Sequence, residues 1–179
     1  MEHPTVILQT SPYHTASTLL VNALYGLIPF FKRHRIVTGD EKDAFRYMKN
    51  KLLIYKTHDL NLEKIQNDLK SNNYNVYFIS SERPEKGYFF PDEYRSWENV
   101  ILFDYSELNE TGENTIENIV DNLIKKLKHI FPFELDREGC INRINEMNKR
   151  YGEIKNESFR YIDPFYEIHG SHRNRKNVS

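Results

Sequence analysis

The chain has 179 residues, 39% of them hydrophobic, which is enough for one substantial core. A formal net charge of −1 gives no bulk attraction to nucleic acid or to anionic lipid, so neither a nucleic acid nor a membrane is an expected partner. The single cysteine, Cys140, excludes an internal disulfide, no run approaches the roughly twenty apolar residues of a membrane span, and strand residues begin too early for a signal peptide; a soluble protein of a reducing, cytoplasmic compartment is expected.

Hydrophobic periodicity predicts strands near 5–10, 35–38, 52–56, 75–80 and 99–104, and helices near 15–28, 40–50, 60–71, 113–131 and 136–150. The elements alternate without a repeat or a low-complexity linker. The expected fold class is α/β, a single three-layer domain over 1–179 with a mostly parallel sheet flanked by helices.

The first strand runs through a polar loop into an apolar helix, TVILQTSPYHTASTLLVNAL from Thr5 to Leu24. Thr10 and Ser11 end the strand and Pro12 fixes the turn. Thr15, Ser17 and Thr18 place hydroxyls at the first helical turn, where unpaired N–H groups and the positive end of the dipole favour an anion. The same residues are equally suited to capping a helix in any α/β domain. The loop is P-loop-like in position only, because the glycines and lysine of G-x-x-x-x-G-K-[ST] are absent.

Further along, KLLIYKTH (Lys51 to His58) is an apolar strand that ends in Lys56, Thr57 and His58. Open parallel sheets bind ligands beyond the carboxyl ends of their strands, where the first loop also opens. NVYFISSERP (Asn75 to Pro84) supplies Ser80, Ser81 and Arg83 at the next strand end, and NVILFDYSEL (Asn99 to Leu108) a strand followed by Glu107, read as a structural cap or ion-pair partner. The aromatic stretch Tyr88, Phe89, Phe90, Tyr94 and Trp97 either lines an acceptor pocket or packs a surface loop. In the helix from Glu113, Ile116, Ile119, Val120, Leu123, Ile124, Leu127 and Ile130 form a core-facing stripe, and Lys125, Lys126 and Lys128 are expected on a solvated face. The last segment, DPFYEIHGSHRNRK (Asp163 to Lys176), is packed up to Gly170 on the evidence of Phe165, Tyr166 and Ile168; beyond it lies either a basic ligand loop or a polar terminus. His169 and His172 have no third ligand close by, so no metal site is expected.

The strand, the Pro12-Tyr13-His14-Thr15-Ala16-Ser17-Thr18-Leu19-Leu20 loop and the Lys56-Thr57-His58 strand end resemble the sulfotransferase family, whose loop reads P-[KR]-[ST]-G-[ST]-[ST]-x-L and whose central strand closes in K-T-H. The resemblance extends over roughly residues 5 to 130. His14 takes the place of the family's basic residue and Ala16 that of its glycine, with one residue inserted after the proline. The implied activity is transfer of a sulfuryl group from 3′-phosphoadenosine 5′-phosphosulfate (PAPS) to a hydroxyl or amine of a small-molecule or glycan acceptor, leaving 3′-phosphoadenosine 5′-phosphate (PAP), without a metal.

By that resemblance His58 is the general base, Lys56 stabilises the transferring group and His14 assists it. The 5′-phosphate falls to Ser11, Tyr13, His14, Thr15, Ala16, Ser17 and Thr18, and the 3′-phosphate to Ser80, Ser81 and Arg83, with Arg173 and Arg175 closing over it. The alternatives are a non-catalytic sulfotransferase-like nucleotide-binding protein and a small P-loop-like phosphotransferase using ATP and magnesium.

Overall fold

A computed structural model describes residues 5–12, 14–29, 36–38, 52–71, 73–154, 165, 166 and 168. The expected helix at 40–50, Tyr13, Arg173 and Arg175 lie outside them. The architecture is α/β, with a five-stranded, all-parallel sheet in the order β2-β3-β1-β4-β5. Its strands are β1 (Thr5–Thr10), β2 (Ile36–Thr38), β3 (Leu52–Thr57), β4 (Asn75–Glu82) and β5 (Val100–Asp104). The helices are α1 (Ser17–Leu27), α2 (Leu62–Lys70), a single turn α3 (Tyr105–Leu108), α4 (Ile116–Leu127) and α5 (Arg137–Ile154).

Strand alternation divides the core into two layers. Ile7, Ile54, Ile79, Ile101 and Phe103 face one side, where they pack with Leu20, Leu24 and Leu27 of α1, Val120 and Leu123 of α4, and Ile144 of α5. Val6, Leu8, Leu53, Tyr55, Val76 and Phe78 face the other, against Leu62, Ile65 and Leu69 of α2. With helices on both faces the sheet is the middle of three layers, which is why its strands read as nearly continuous apolar runs.

Capping sets the helix ends. Asn61 accepts a bond from the Lys64 N–H at 3.2 Å, so α2 begins at Leu62, and Thr115 accepts from Asn118 N–H at 3.3 Å, so α4 begins at Ile116, the first residue of the stripe, rather than near 113. Ile130, the last residue of that stripe, sits in a 3₁₀ turn rather than in the α-helix. Asp104 and Glu107 form a reciprocal capping box on α3, in line with the structural role expected of Glu107. Lys126 departs from the solvated face assigned to it. Its Nζ donates to Glu107 Oε2 at 2.8 Å and lies 4.6 Å from the centre of the Phe103 ring, whereas Lys125 and Lys128 are exposed.

The aromatic stretch after β4 packs rather than lines a pocket. Phe90 is buried against Phe78, and Tyr94 and Trp97 cover the same layer. An ion pair between exposed Arg95 and buried Glu82 holds it there: Arg95 Nη1 donates to Glu82 Oε1 at 3.0 Å, Arg95 Nη2 to Glu82 Oε2, and Phe90 N–H to the same Oε2 at 3.2 Å. Phe89 alone projects outward, 59% exposed.

Helices α1 and α5 cross closely, and two glycines permit it. A Cβ on Gly26 would lie 2.6 Å from the Cys140 Cα and 2.8 Å from the Gly139 carbonyl oxygen, both backbone atoms that cannot swing aside. Gly26→Ala is therefore expected to lower stability by about 1–3 kcal/mol through overpacking, read as a drop in the urea midpoint; a midpoint equal to wild type would mean that the crossing is looser than its geometry.

Candidate functional site

The carboxyl ends of β1, β3 and β4 lie side by side, and the chain leaves β1 towards β2 but β4 towards β5. Such a divergence opens a crevice beyond the strand ends. A cavity of about 480 Å³ occupies it, walled by Ala16–Leu19, by His14 and His58, by Tyr105 and Leu108, and by Ile144, Met147 and Tyr151 of α5, with Ile168 at its edge. Its polar lining is His14, Ser17, Thr18 and His58, together with Asn109, Glu110 and Asn148, and the rest is apolar with two tyrosines.

Period-two alternation sorts the strand-end residues by face. Gln9 and Ser11 continue the parity of Ile7, Lys56 and His58 that of Ile54, and Ser81 that of Ile79, so all five turn towards α1. Ser80 follows Val76 and Phe78 to the opposite face, where its hydroxyl is buried without a hydrogen-bond partner among the described residues. Ser80 and Ser81, grouped in the sequence as ligands of one phosphate, thus stand on two sides of the sheet.

Ser11, Thr15 and Ser81 are wholly buried and bond to one another. The Ser81 hydroxyl donates to the Thr15 carbonyl, and Ser81 N–H donates to Ser11 Oγ at 3.0 Å. Ser11 Oγ and Ser81 Oγ are 3.1 Å apart, and Gln9 Nε2 donates to Ser11 Oγ at 2.8 Å. A carbonyl can only accept, so Ser81 spends its single proton on Thr15, and Ser11 must donate to Ser81. Thr15 in turn gives its hydroxyl proton to the Pro12 carbonyl at 2.8 Å. These hydroxyls hold the loop together, and of the described loop hydroxyls only Ser17 and Thr18 border the cavity.

Helix α1 starts at Ser17, two residues later than the pattern suggested, because Ala16 is left-handed with φ 67°. His14 is also left-handed, with φ 66°. Ala16, at the N-cap, has no side chain able to cap the first turn of α1, and no acidic residue sits in that turn, which leaves it electropositive. Ala16 thus takes a conformation that favours glycine, at a cost of roughly 1 kcal/mol. Ala16→Gly is expected to raise stability by up to about 1 kcal/mol, measured as an increase in the urea midpoint, and a decrease would show that the loop does not carry this strain.

Lys56 is buried, and its Nζ donates to Thr18 Oγ1 at 3.3 Å, so its charge lies against the same first turn. His58 sits two residues on. Its Nδ1–H donates to the Ser11 carbonyl at 2.8 Å, which in the neutral imidazole puts the lone pair on Nε2. Burial pushes the His58 pKa below its ordinary 6.5; the Ser11 bond opposes that shift, and the charges of Lys56 and His14 add to it. A neutral, orientated imidazole is suited to accepting a proton near neutral pH. The His14 ring lies 5.6 Å from that of Tyr88, at the cavity mouth.

Arg83 is close without lining the cavity. Its Nε donates to Glu85 Oε1 at 2.6 Å, and its guanidinium stacks 3.9 Å above the Tyr105 ring, which does line it. Sequence reading missed Gln9, Tyr105 and the α5 wall. The spacing of Ile144, Met147 and Tyr151, at three and four residues, was the available signal for that wall. No protein-family model matches the chain, and no curated protein matches it.

Proposed function

We propose that the protein is a PAPS-dependent sulfotransferase, with the nucleotide seated in the cavity beside α1. The observation that carries this reading is His58, its Nδ1 tied to the Ser11 carbonyl, lining the same cavity as the first turn of α1, with buried Lys56 held against Thr18 of that turn. The volume of about 480 Å³ suits a nucleotide-sized ligand, and the apolar wall with Tyr105 and Tyr151 suits a flat base.

In this mechanism an acceptor hydroxyl or amine attacks the sulfur of PAPS in line. The acceptor–sulfur bond forms as the bond from sulfur to the bridging phosphate oxygen breaks. The acceptor proton passes to His58 Nε2, and the charge that develops on the departing 5′-phosphate is met by Lys56 and by the first-turn amides. His14 stands where the family motif carries its basic residue.

PAP is expected to raise the melting temperature more than Mg-ATP or adenosine 5′-phosphosulfate does, because preferential binding stabilises the native state. A shift with Mg-ATP alone would favour the phosphotransferase, and silence from all three would remove the nucleotide site.

His58→Ala is expected to keep PAP affinity and lower turnover about a hundredfold or more. The pH profile gives an independent reading. The base must be neutral and its pKa is depressed, so the acid limb of kcat/KM, which reports the free enzyme, should fall below pH 6.5, and kcat/KM should hold as pH drops through that value. Turnover of His58→Ala equal to wild type would take the residue out of the mechanism, and PAP binding without turnover in the wild type would identify a non-catalytic binder.

A further inference from the structure

The hydrogen-bond chain behind the loop sets the direction of one peptide plane. Ser81 donates to the Thr15 carbonyl from the β4 side. Every described peptide bond is trans, and across a trans peptide the N–H points opposite to the C=O. The Ala16 N–H is therefore turned away from β4, on the side where Ala16 lines the cavity. The left-handed backbone at His14 and Ala16 leads directly into the first turn of α1, so the Ala16 N–H comes next in the chain to the amides of that turn.

We propose that Ser81, backed by Ser11 and Gln9, is a positioning residue whose hydroxyl sets the Thr15–Ala16 peptide so that the Ala16 N–H donates to the 5′-phosphate. Only the identity of that anion rests on the sulfotransferase reading. Ser81 itself touches no ligand. Its hydroxyl is wholly buried and its proton is committed to Thr15, and the Ser11 hydroxyl and Gln9 amide behind it keep that proton from turning elsewhere. Without the hydroxyl, the Thr15 carbonyl loses the donor that fixes it, and the peptide is free to rotate its oxygen towards the cavity, where it would repel phosphate.

Ala16, Ala23 and Ala44 are the alanines of the chain, so [¹⁵N]alanine labelling gives a readable Ala16 amide signal. In the wild type this signal is expected to move when PAP or inorganic phosphate is added, with Ala23 moving far less. In Ser81→Ala the Ala16 response should vanish and PAP should bind about tenfold to a hundredfold more weakly by calorimetry, the range for a hydrogen bond to a charged group. Adenosine 3′-monophosphate, which lacks the 5′-phosphate, should bind Ser81→Ala as it binds the wild type. Ile65→Val, a mild core truncation on the opposite face, should leave both affinities unchanged.

A wild-type Ala16 response in Ser81→Ala, an equal loss of both nucleotides, or an Ala16 amide in the wild type that ignores both PAP and phosphate would overturn the proposal. An Ala16 signal that moves with phosphate in a protein that does not bind PAP would end the sulfotransferase reading and leave the positioning role standing. PAP binding that leaves Ala16 still would do the reverse. Should Ser81→Ala not fold, Ser81→Cys keeps the volume with a poor donor and is read by the same criteria.

Discussion

A parallel strand sends successive side chains to opposite faces of the sheet, and the polar groups at the strand ends beside the cavity obey that parity. Ile7 commits Gln9 and Ser11 to the side of α1, Ile54 commits Lys56 and His58, and Ile79 commits Ser81. The apolar residues of each strand thus determine, several residues upstream, which polar residues meet beyond its carboxyl end. A slip of one residue in any of these strands would carry its isoleucine to the α2 layer and its polar ends away from the cavity. Packing of the core and assembly of the site are one constraint.

Such a site is costly to bury. Gln9, Ser11, Thr15, Lys56 and Ser81 have almost no exposed surface, and each buried polar group must find a partner or destabilise the fold by a few kcal/mol. Most find it within the cluster. A set of apolar side chains of similar shape would be about as stable, so stability does not account for the hydroxyls. What they add is direction, because each donor–acceptor pair admits one arrangement of the loop backbone.

The α/β alternation was legible because buried strands are short apolar runs and the α4 stripe repeats at helical spacing. The convergence of Lys56, His58 and the β1–α1 loop on one crevice was legible too, since it follows from strand ends in a parallel sheet. Other features depend on contacts that local pattern does not encode. Alanine gives no hint of a left-handed backbone, so the late start of α1 at Ser17 was hidden. Glu82 and Arg95 decide that Phe90, Tyr94 and Trp97 pack on the sheet, and their pairing spans a loop whose course the sequence leaves open. Lys126 reads as one more surface lysine until α3 places Glu107 beside it. The parity of Val76 and Phe78 already separated Ser80 from Ser81, and here the signal was present in the residues themselves.

The segment that brings Ile168 to the cavity is held by residues far apart in the chain. Asn22 on α1 donates from Nδ2 to the Tyr166 carbonyl at 2.7 Å and accepts from Arg143 Nε at 2.9 Å, while the Arg143 guanidinium lies over the rings of Tyr25, Phe165 and Tyr166. Ile168, at the cavity edge, follows that node directly. During synthesis, therefore, the strand ends and the loop are made early, whereas the wall that completes the pocket waits for residues more than a hundred positions later, Tyr166 being 144 residues beyond its partner Asn22. Closing so long a loop is slow relative to local folding, which places completion of the pocket among the last events as the polypeptide emerges from the ribosome. A nascent chain with a finished sheet would still have an open pocket, and ligand binding would be confined to molecules that have been made and folded through Ile168.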